Sequence, residues 1–211
     1  MKYGLWAIAL CAASAWGQQW EVGALGGGSF YLNNSVTGAG GATGTTGFRP
    51  GLSAGGWIGH TNGGKYGGEI RYLFQRNDLK VNSGGQSYNF AGQSHVIHYD
   101  FVYHMKTSED AFRPFVAVGG GLKGYRGTGK EQAFQPLSNL AILSQTSEWK
   151  PMLTFGAGVK WQLSNRILLR AEIRDFVTPF PKSVILPSPG AKIAGWVHDI
   201  TPLFGISYLV D

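Results

Sequence analysis

Cysteine, charge and long apolar runs are all scarce in this chain of 211 residues. The single cysteine, Cys11, falls inside an N-terminal stretch that reads as a targeting segment. Lys2 supplies the positive start, residues 5–13 form a short apolar run, and Ala13-Ser14-Ala15 or Ala15-Trp16-Gly17 offers a small-x-small cleavage site. Leu10 before Cys11 argues against a lipid-modified cysteine. Residues 1–17 are therefore assigned as a signal peptide and 18–211 as the mature domain. Cleavage leaves no cysteine, which excludes disulfides, thiol nucleophiles and cysteine-based zinc sites.

Charged residues make up 14% of the chain, where about 25% is usual for a soluble domain. A soluble surface is hard to cover with so few. A helical membrane protein needs about 18 or more consecutive apolar residues, and no such run exists. The net charge of +6 raises a nucleic-acid reading, but lysines and arginines are scattered singly, so no nucleic-acid partner is expected.

What the chain does have is alternation. Apolar and polar residues alternate through eight segments, placed at 20–31, 48–60, 65–76, 94–106, 113–125, 149–163, 166–177 and 195–210. Each is long enough for a tilted membrane strand. The connections alternate too: long at 32–47, 77–93, 126–148 and 178–194, and short at 61–64, 106–112 and 164–165. Asn62-Gly63 and Asn165 suit tight hairpins. The predicted fold is all-β, an eight-stranded antiparallel up-and-down transmembrane barrel with long extracellular loops and short periplasmic turns. The segment 33–47, almost wholly Gly, Thr, Ala and Asn, is expected to be flexible and without fixed structure.

Parity assigns faces. Ile70, Tyr72 and Phe74 oppose Glu69 and Arg71. Ile97, Tyr99, Phe101 and Tyr103 oppose His98 and Asp100. Leu153, Phe155, Ala157, Val159 and Trp161 oppose Thr154, Gly156, Gly158 and Lys160. Ile167, Leu169, Ala171 and Ile173 oppose Arg170, Glu172 and Arg174. Phe204, Ile206, Tyr208 and Val210 oppose Asp199, Thr201 and Ser207. A lipocalin-like barrel would turn the apolar faces inward, whereas a membrane barrel turns them out. Mixed signs of charge on one face favour the second, because a charge facing lipid near the midplane costs about 2–4 kcal/mol. The candidate site is thus an ionic network inside the barrel, built from Glu69, Arg71, Asp100, Lys160, Arg170, Glu172 and Arg174, with Gly156 and Gly158 making room. Trp20, Tyr31, Phe48, Tyr66, Phe112, Tyr125, Trp149, Trp161 and Trp196 lie near strand ends and suit an interfacial girdle.

The signal peptide, the run Arg170-Ala171-Glu172-Ile173-Arg174-Asp175-Phe176 and the closing Leu203-Phe204-Gly205-Ile206-Ser207-Tyr208-Leu209-Val210 resemble the small outer-membrane β-barrel family, similar to the OmpA transmembrane domain. The resemblance implies a last strand read by the barrel-assembly machinery, with Gly205, Tyr208 and Val210 at the matching spacing. Val210 and Asp211 stand where an aromatic ending is typical. It also implies a Gram-negative envelope, with outer-membrane lipid and lipopolysaccharide as surroundings.

Some motifs look chemical. Gly119-Gly120-Gly121-Leu122-Lys123-Gly124 satisfies the dinucleotide spacing, but it lies inside a strand with no helix after it. The stretch 124–130 approaches a phosphate-binding loop, with Glu131 where Ser or Thr belongs. His98 and Asp100 share a face, with Ser94 and His95 near the rim. His95, His98 and His104 lack a metal-ligand spacing. No catalytic residue, metal or cofactor is therefore assigned. The function expected is a non-enzymatic barrel with a plugged interior and a structural or surface-interaction role. A narrow or gated pore is the alternative, and a barrel hydrolase the next.

Overall fold

Alternating patterns of this kind do become long strands, and every regular element among the described residues is a strand. The computed structural model describes residues 19–61 and 63–210. The signal-peptide and cleavage assignments, Cys11, Asn62 and Asp211 lie outside them. In chain order the strands are β1 (Gln19–Tyr31), β2 (Asn34–Thr37), β3 (Thr43–Phe48), β4 (Gly51–Thr61) and β5 (Tyr66–Arg76). There follow β6 (Leu79–Ser83), β7 (Gln86–Phe90), β8 (Gly92–His104), β9 (Phe112–Gly127) and β10 (Ala141–Leu143). The last are β11 (Ser147–Gln162), β12 (Ile167–Pro179), β13 (Ile185–Pro187), β14 (Lys192–Ile193) and β15 (Trp196–Val210).

Eight of them, β1, β4, β5, β8, β9, β11, β12 and β15, pair antiparallel with their neighbours. They close when β1 pairs with β15, Trp20 opposite Val210 and Tyr31 opposite Asp199. Closure leaves no free sheet edge, so every strand's amides and carbonyls find partners in the wall. The short connections gather at one end and the long ones at the other. Tight turning at the short end is visible at Gly63, whose φ of +78° suits glycine. At Ser164, the amide donates to the carbonyl of Ile167.

The long connections are not loose. The flexible segment expected at 33–47 instead forms β2 and β3, part of a five-stranded sheet ordered β14-β2-β3-β6-β7, while β10 pairs with β13. Composition misled because Val36 is the one large apolar residue inside this segment, too little for a core alone. The missing partners come from the other three connections. Leu79, Val81, Leu140, Leu143, Val184 and Ile185 join Val36 and Phe48 in one fully buried cluster. Thr46 Oγ1 donates to the Lys80 carbonyl at 2.9 Å, and Asn34 Nδ2 to the Ala194 carbonyl at 2.8 Å. Burying each aliphatic side chain contributes about 1.5–3 kcal/mol. Four connections thus fold together into a cap over one end of the barrel. Phe48 belongs to β3, so the second barrel strand starts at Gly51.

Candidate functional site

The barrel is inverted relative to a soluble protein. Ile58, Ile70, Ile97, Tyr99, Phe101, Leu153, Phe155, Ile173, Phe204 and Ile206 all present exposed side chains on the outer wall. The groups buried inside include Glu21, Glu69, Arg71, Asp100, Lys123, Lys160, Arg170, Glu172, Arg174 and Asp199. Alternation along each strand produces this split, and the register of pairing brings the inward charges of different strands to one level.

All seven sequence-assigned residues face inward and meet. Glu172 lies against three guanidinium groups: Arg71, whose Nη1 contacts Oε1, Arg170 at 2.9 Å and Arg174 at 3.3 Å. Glu69 meets Arg71 at 3.0 Å, Arg170 at 2.7 Å and Lys160 at 3.2 Å. Asp100 meets Arg174 at 2.6 Å and Arg71 at 3.6 Å, and His98 Nδ1 lies 3.0 Å from its Oδ1. An eighth member, Glu21, was not assigned from sequence. It pairs with Lys160 at 2.6 Å and accepts from Ser207 Oγ at 2.7 Å. Four cations thus face four anions. Both guanidinium planes of Arg71 and Arg170 also approach the Trp57 ring, at 5.3 and 5.1 Å, and Arg170 lies 4.3 Å from the Phe115 ring centre. Space for these long chains comes from glycine. A Cβ at Gly156 would lie 2.6 Å from Arg174 Cδ, and one at Gly158 would lie 2.7 Å from Phe115 and from the Glu172 Cβ.

Above this network, toward the cap, the interior changes character twice. Reading each strand toward the long connections, Arg71 gives way to Leu73, Arg174 to Phe176 and His98 to Val96. These three form one buried layer with Leu25, Met152 and Leu203. A second polar layer follows. Lys123 Nζ is 2.5 Å from Asp199 and donates to Tyr31 Oη at 3.1 Å, while Gln75 Nε2 donates to Asp199 at 2.8 Å. Lys123 is flanked by the rings of Tyr31 and Tyr125, at 4.8 and 5.3 Å.

That layer corrects the girdle assignment. Tyr31, Phe48 and Tyr125 are buried, not interfacial. Phe48 stacks on Tyr125 at 4.9 Å and contacts Tyr31 at 5.0 Å, and Tyr31 and Tyr125 point inward beside the Lys123 ammonium. Trp20, Tyr66, Phe112, Trp149, Trp161 and Trp196 are exposed on the outside, as a girdle requires. The glycine motif lies within β9, with Lys123 turned into the lumen. The histidines diverge: His98 and His104 are buried, whereas His95 faces outward against Tyr72. Ser94 Oγ donates to Asn77 Oδ1 rather than meeting His98, so these residues do not assemble a nucleophile and base.

Toward the cap, the interior holds ion pairs, then an apolar layer, then a second ion pair, then the core of the cap. On the cap itself, Ser144 Oγ at 2.7 Å and the Gln145 amide at 2.6 Å donate to Glu131. Those two bonds hold its carboxyl below the usual carboxylate range.

No protein-family model and no curated protein sequence matches the chain. Solved structures do. The outer membrane protein OprG from Pseudomonas aeruginosa aligns with a TM-score of 0.56 at 13% identity, covering 90% of this chain and 95% of that one. The N-terminal β-barrel domain of Pseudomonas aeruginosa OprF aligns with a TM-score of 0.50 at 16% identity, covering 91% and 97%. At these identities the likeness shows the fold, a closed eight-stranded antiparallel barrel of the kind found in outer membranes.

Proposed function

We infer that this chain, folded as small outer-membrane barrels are, is exported and spans the outer membrane of a Gram-negative-type bacterium. It acts there as a closed, non-enzymatic barrel displaying a structured cap. The observation that carries this reading is the eight-charge network in a lumen that eight strands leave just wide enough for side chains. Opposite charges that neutralise each other fill the path a solute would take, and the apolar layer of Leu25, Leu73, Phe176 and Leu203 above them gives water and ions no polar route. The remaining role lies outside, with the cap. Its shared core holds the tips of four connections in one shape, which suits a structural or surface-interaction task. Outer-membrane lipid and lipopolysaccharide are the surroundings of the apolar wall, and the barrel-assembly machinery inserts it.

Planar-bilayer recording of the purified protein tests the reading. Negligible steady conductance is expected. Large, stable single-channel steps would put the gated-pore reading first. Fractionation tests the location, since recovery in the soluble periplasm would contradict a membrane barrel.

A further inference from the structure

The outer wall near the cap is not uniformly apolar. Strand pairing sets Arg76, Gln93, Arg126 and Ser147 side by side across β5, β8, β9 and β11. All four point outward, since Gln75, Ser94 and Tyr125 beside them in sequence are buried inside. Neighbouring strands lie about 4.8 Å apart, so the backbones of Arg76 and Arg126 are roughly 10 Å apart. Their guanidinium groups can therefore converge on one anion. Both side chains are exposed, and neither has a carboxylate partner among the described residues.

The next row toward the short turns is Phe74, His95, Gly124 and Trp149, and the one after it Tyr72, Ile97, Leu122 and Pro151. His95 Nδ1 lies 2.8 Å from Tyr72 Oη, which fixes the ring. Trp149 packs over the bare backbone of Gly124, where a Cβ would come within 2.8 Å of the indole. A groove of about 700 Å³ runs down this sector, with Tyr72, Ile97, Gly124 and Trp149 at its apolar end and Arg126 and Thr146 at its polar end. Elsewhere on the wall, Asp175 and His198 pair at 2.9 Å.

A polar, doubly cationic head above an apolar slot on a lipid-facing wall matches one kind of molecule. We propose that this sector binds an anionic lipid of the surrounding leaflet that carries a phosphomonoester, its headgroup between Arg76 and Arg126 and an acyl chain along the groove over Gly124. Guanidinium forks match phosphate oxygens in geometry and charge. The proposal rests on the membrane-spanning reading above.

The test uses the full folded chain in nanodiscs of phosphatidylcholine containing a minor fraction of phosphatidic acid. Insertion is checked first by heat-modifiable migration, and retained lipids are then counted by native mass spectrometry. The wild type is expected to retain phosphatidic acid over phosphatidylcholine. The Arg76→Gln/Arg126→Gln variant is expected to lose that preference by about thirtyfold, at the usual strength of two interfacial arginines. Arg76→Lys/Arg126→Lys keeps most of it. Gly124→Val, which displaces Trp149, lowers retention with both arginines intact. Equal retention of the two lipids by the wild type, or an unchanged preference in the glutamine variant, overturns the site while insertion stands. Displacement of the lipid by millimolar inorganic phosphate also overturns it, because the row would then be a plain anion site. A chain that fails to enter the nanodiscs sinks the membrane reading itself, and this proposal with it.

Discussion

Glu172 is the residue whose loss the lumen should tolerate least, and Glu172→Gln isolates its charge from its shape. The carboxylate faces Arg71, Arg170 and Arg174, and its side chain is 1% exposed, so water screens these contacts little. At a separation near 4 Å and an effective dielectric of about 20, each pair is worth about 4 kcal/mol of attraction. Roughly 12 kcal/mol of gross attraction therefore disappears. Most of it is offset, because the desolvation of the carboxylate and its repulsion from Glu69 vanish as well. Removing one partner from a buried ion cluster typically leaves a net loss of about 3–5 kcal/mol. We expect that loss in urea titrations of the protein folded into lipid vesicles, read as the folded band on unboiled gels. Glu172→Gln leaves four cations against Glu21, Glu69 and Asp100. Adding Arg174→Met brings the count to three against three, since Asp100 keeps Arg71 and His98. The double variant should recover part of the loss, with a coupling of about 0.5–3 kcal/mol. A loss below about 1 kcal/mol for Glu172→Gln would refute the reasoning. It would mean the lumen is wet enough to screen its charges and is no plug.

Three further outcomes follow from the same geometry. In a Cys11→Ser background, Tyr99→Cys and Leu169→Cys should resist a water-soluble thiol reagent in membranes, whereas Phe134→Cys, exposed on the cap, should react at once; ready labelling of the first two would invert the wall. Truncating the cap core, as in Leu140→Ala, should cost about 2–5 kcal/mol and expose the long connections to protease while the barrel keeps its heat-modifiable migration. Unchanged proteolysis would show that the four connections do not share a core. Arg170→Ala with Glu172→Ala removes bulk and charge together and should raise leakage in bilayers above the wild-type background; no change would place the seal in the apolar layer alone.

The barrel was legible because its signal is repeated. Eight segments each carry period-two alternation, and both signs of charge on one parity, as in Arg170, Glu172 and Arg174, opposite large apolar residues favour an inverted barrel over a lipocalin-like one. Glu21 was missed because it is the only charge on its strand, and one polar residue sets no period. Lys123 hid in a glycine run that resembled a nucleotide motif, although its parity with Tyr125 and Gly121 already pointed inward. The cap was illegible for a different reason. No connection holds enough apolar residues to fold alone, and only the closure of the barrel brings Val36, Leu79, Leu140 and Ile185 within reach of one another. Aromatics near strand ends were then read as girdle because proximity to the end was used without parity, which turns Tyr31 and Tyr125 inward, whereas Phe48 is buried because it belongs to the cap strand β3.

The glycines of the inner wall bear on how this sequence can change over time. A Cβ at Gly23 would lie 2.4 Å from the Trp57 ring, one at Gly119 2.3 Å from Asp100 Oδ1, and one at Gly156 2.6 Å from Arg174. Each of these three occupants of the lumen thus uses volume ceded by a glycine on the adjoining strand. Neither position of such a pair can drift by itself: enlarging the glycine ejects its neighbour, and shortening the neighbour opens a void beside unmatched charge. Inheritance should therefore act on the pairs. Among homologues, a side chain appearing at position 156 should coincide with a shorter residue at 174, and the two histories should be correlated while the lipid-facing positions between them vary freely.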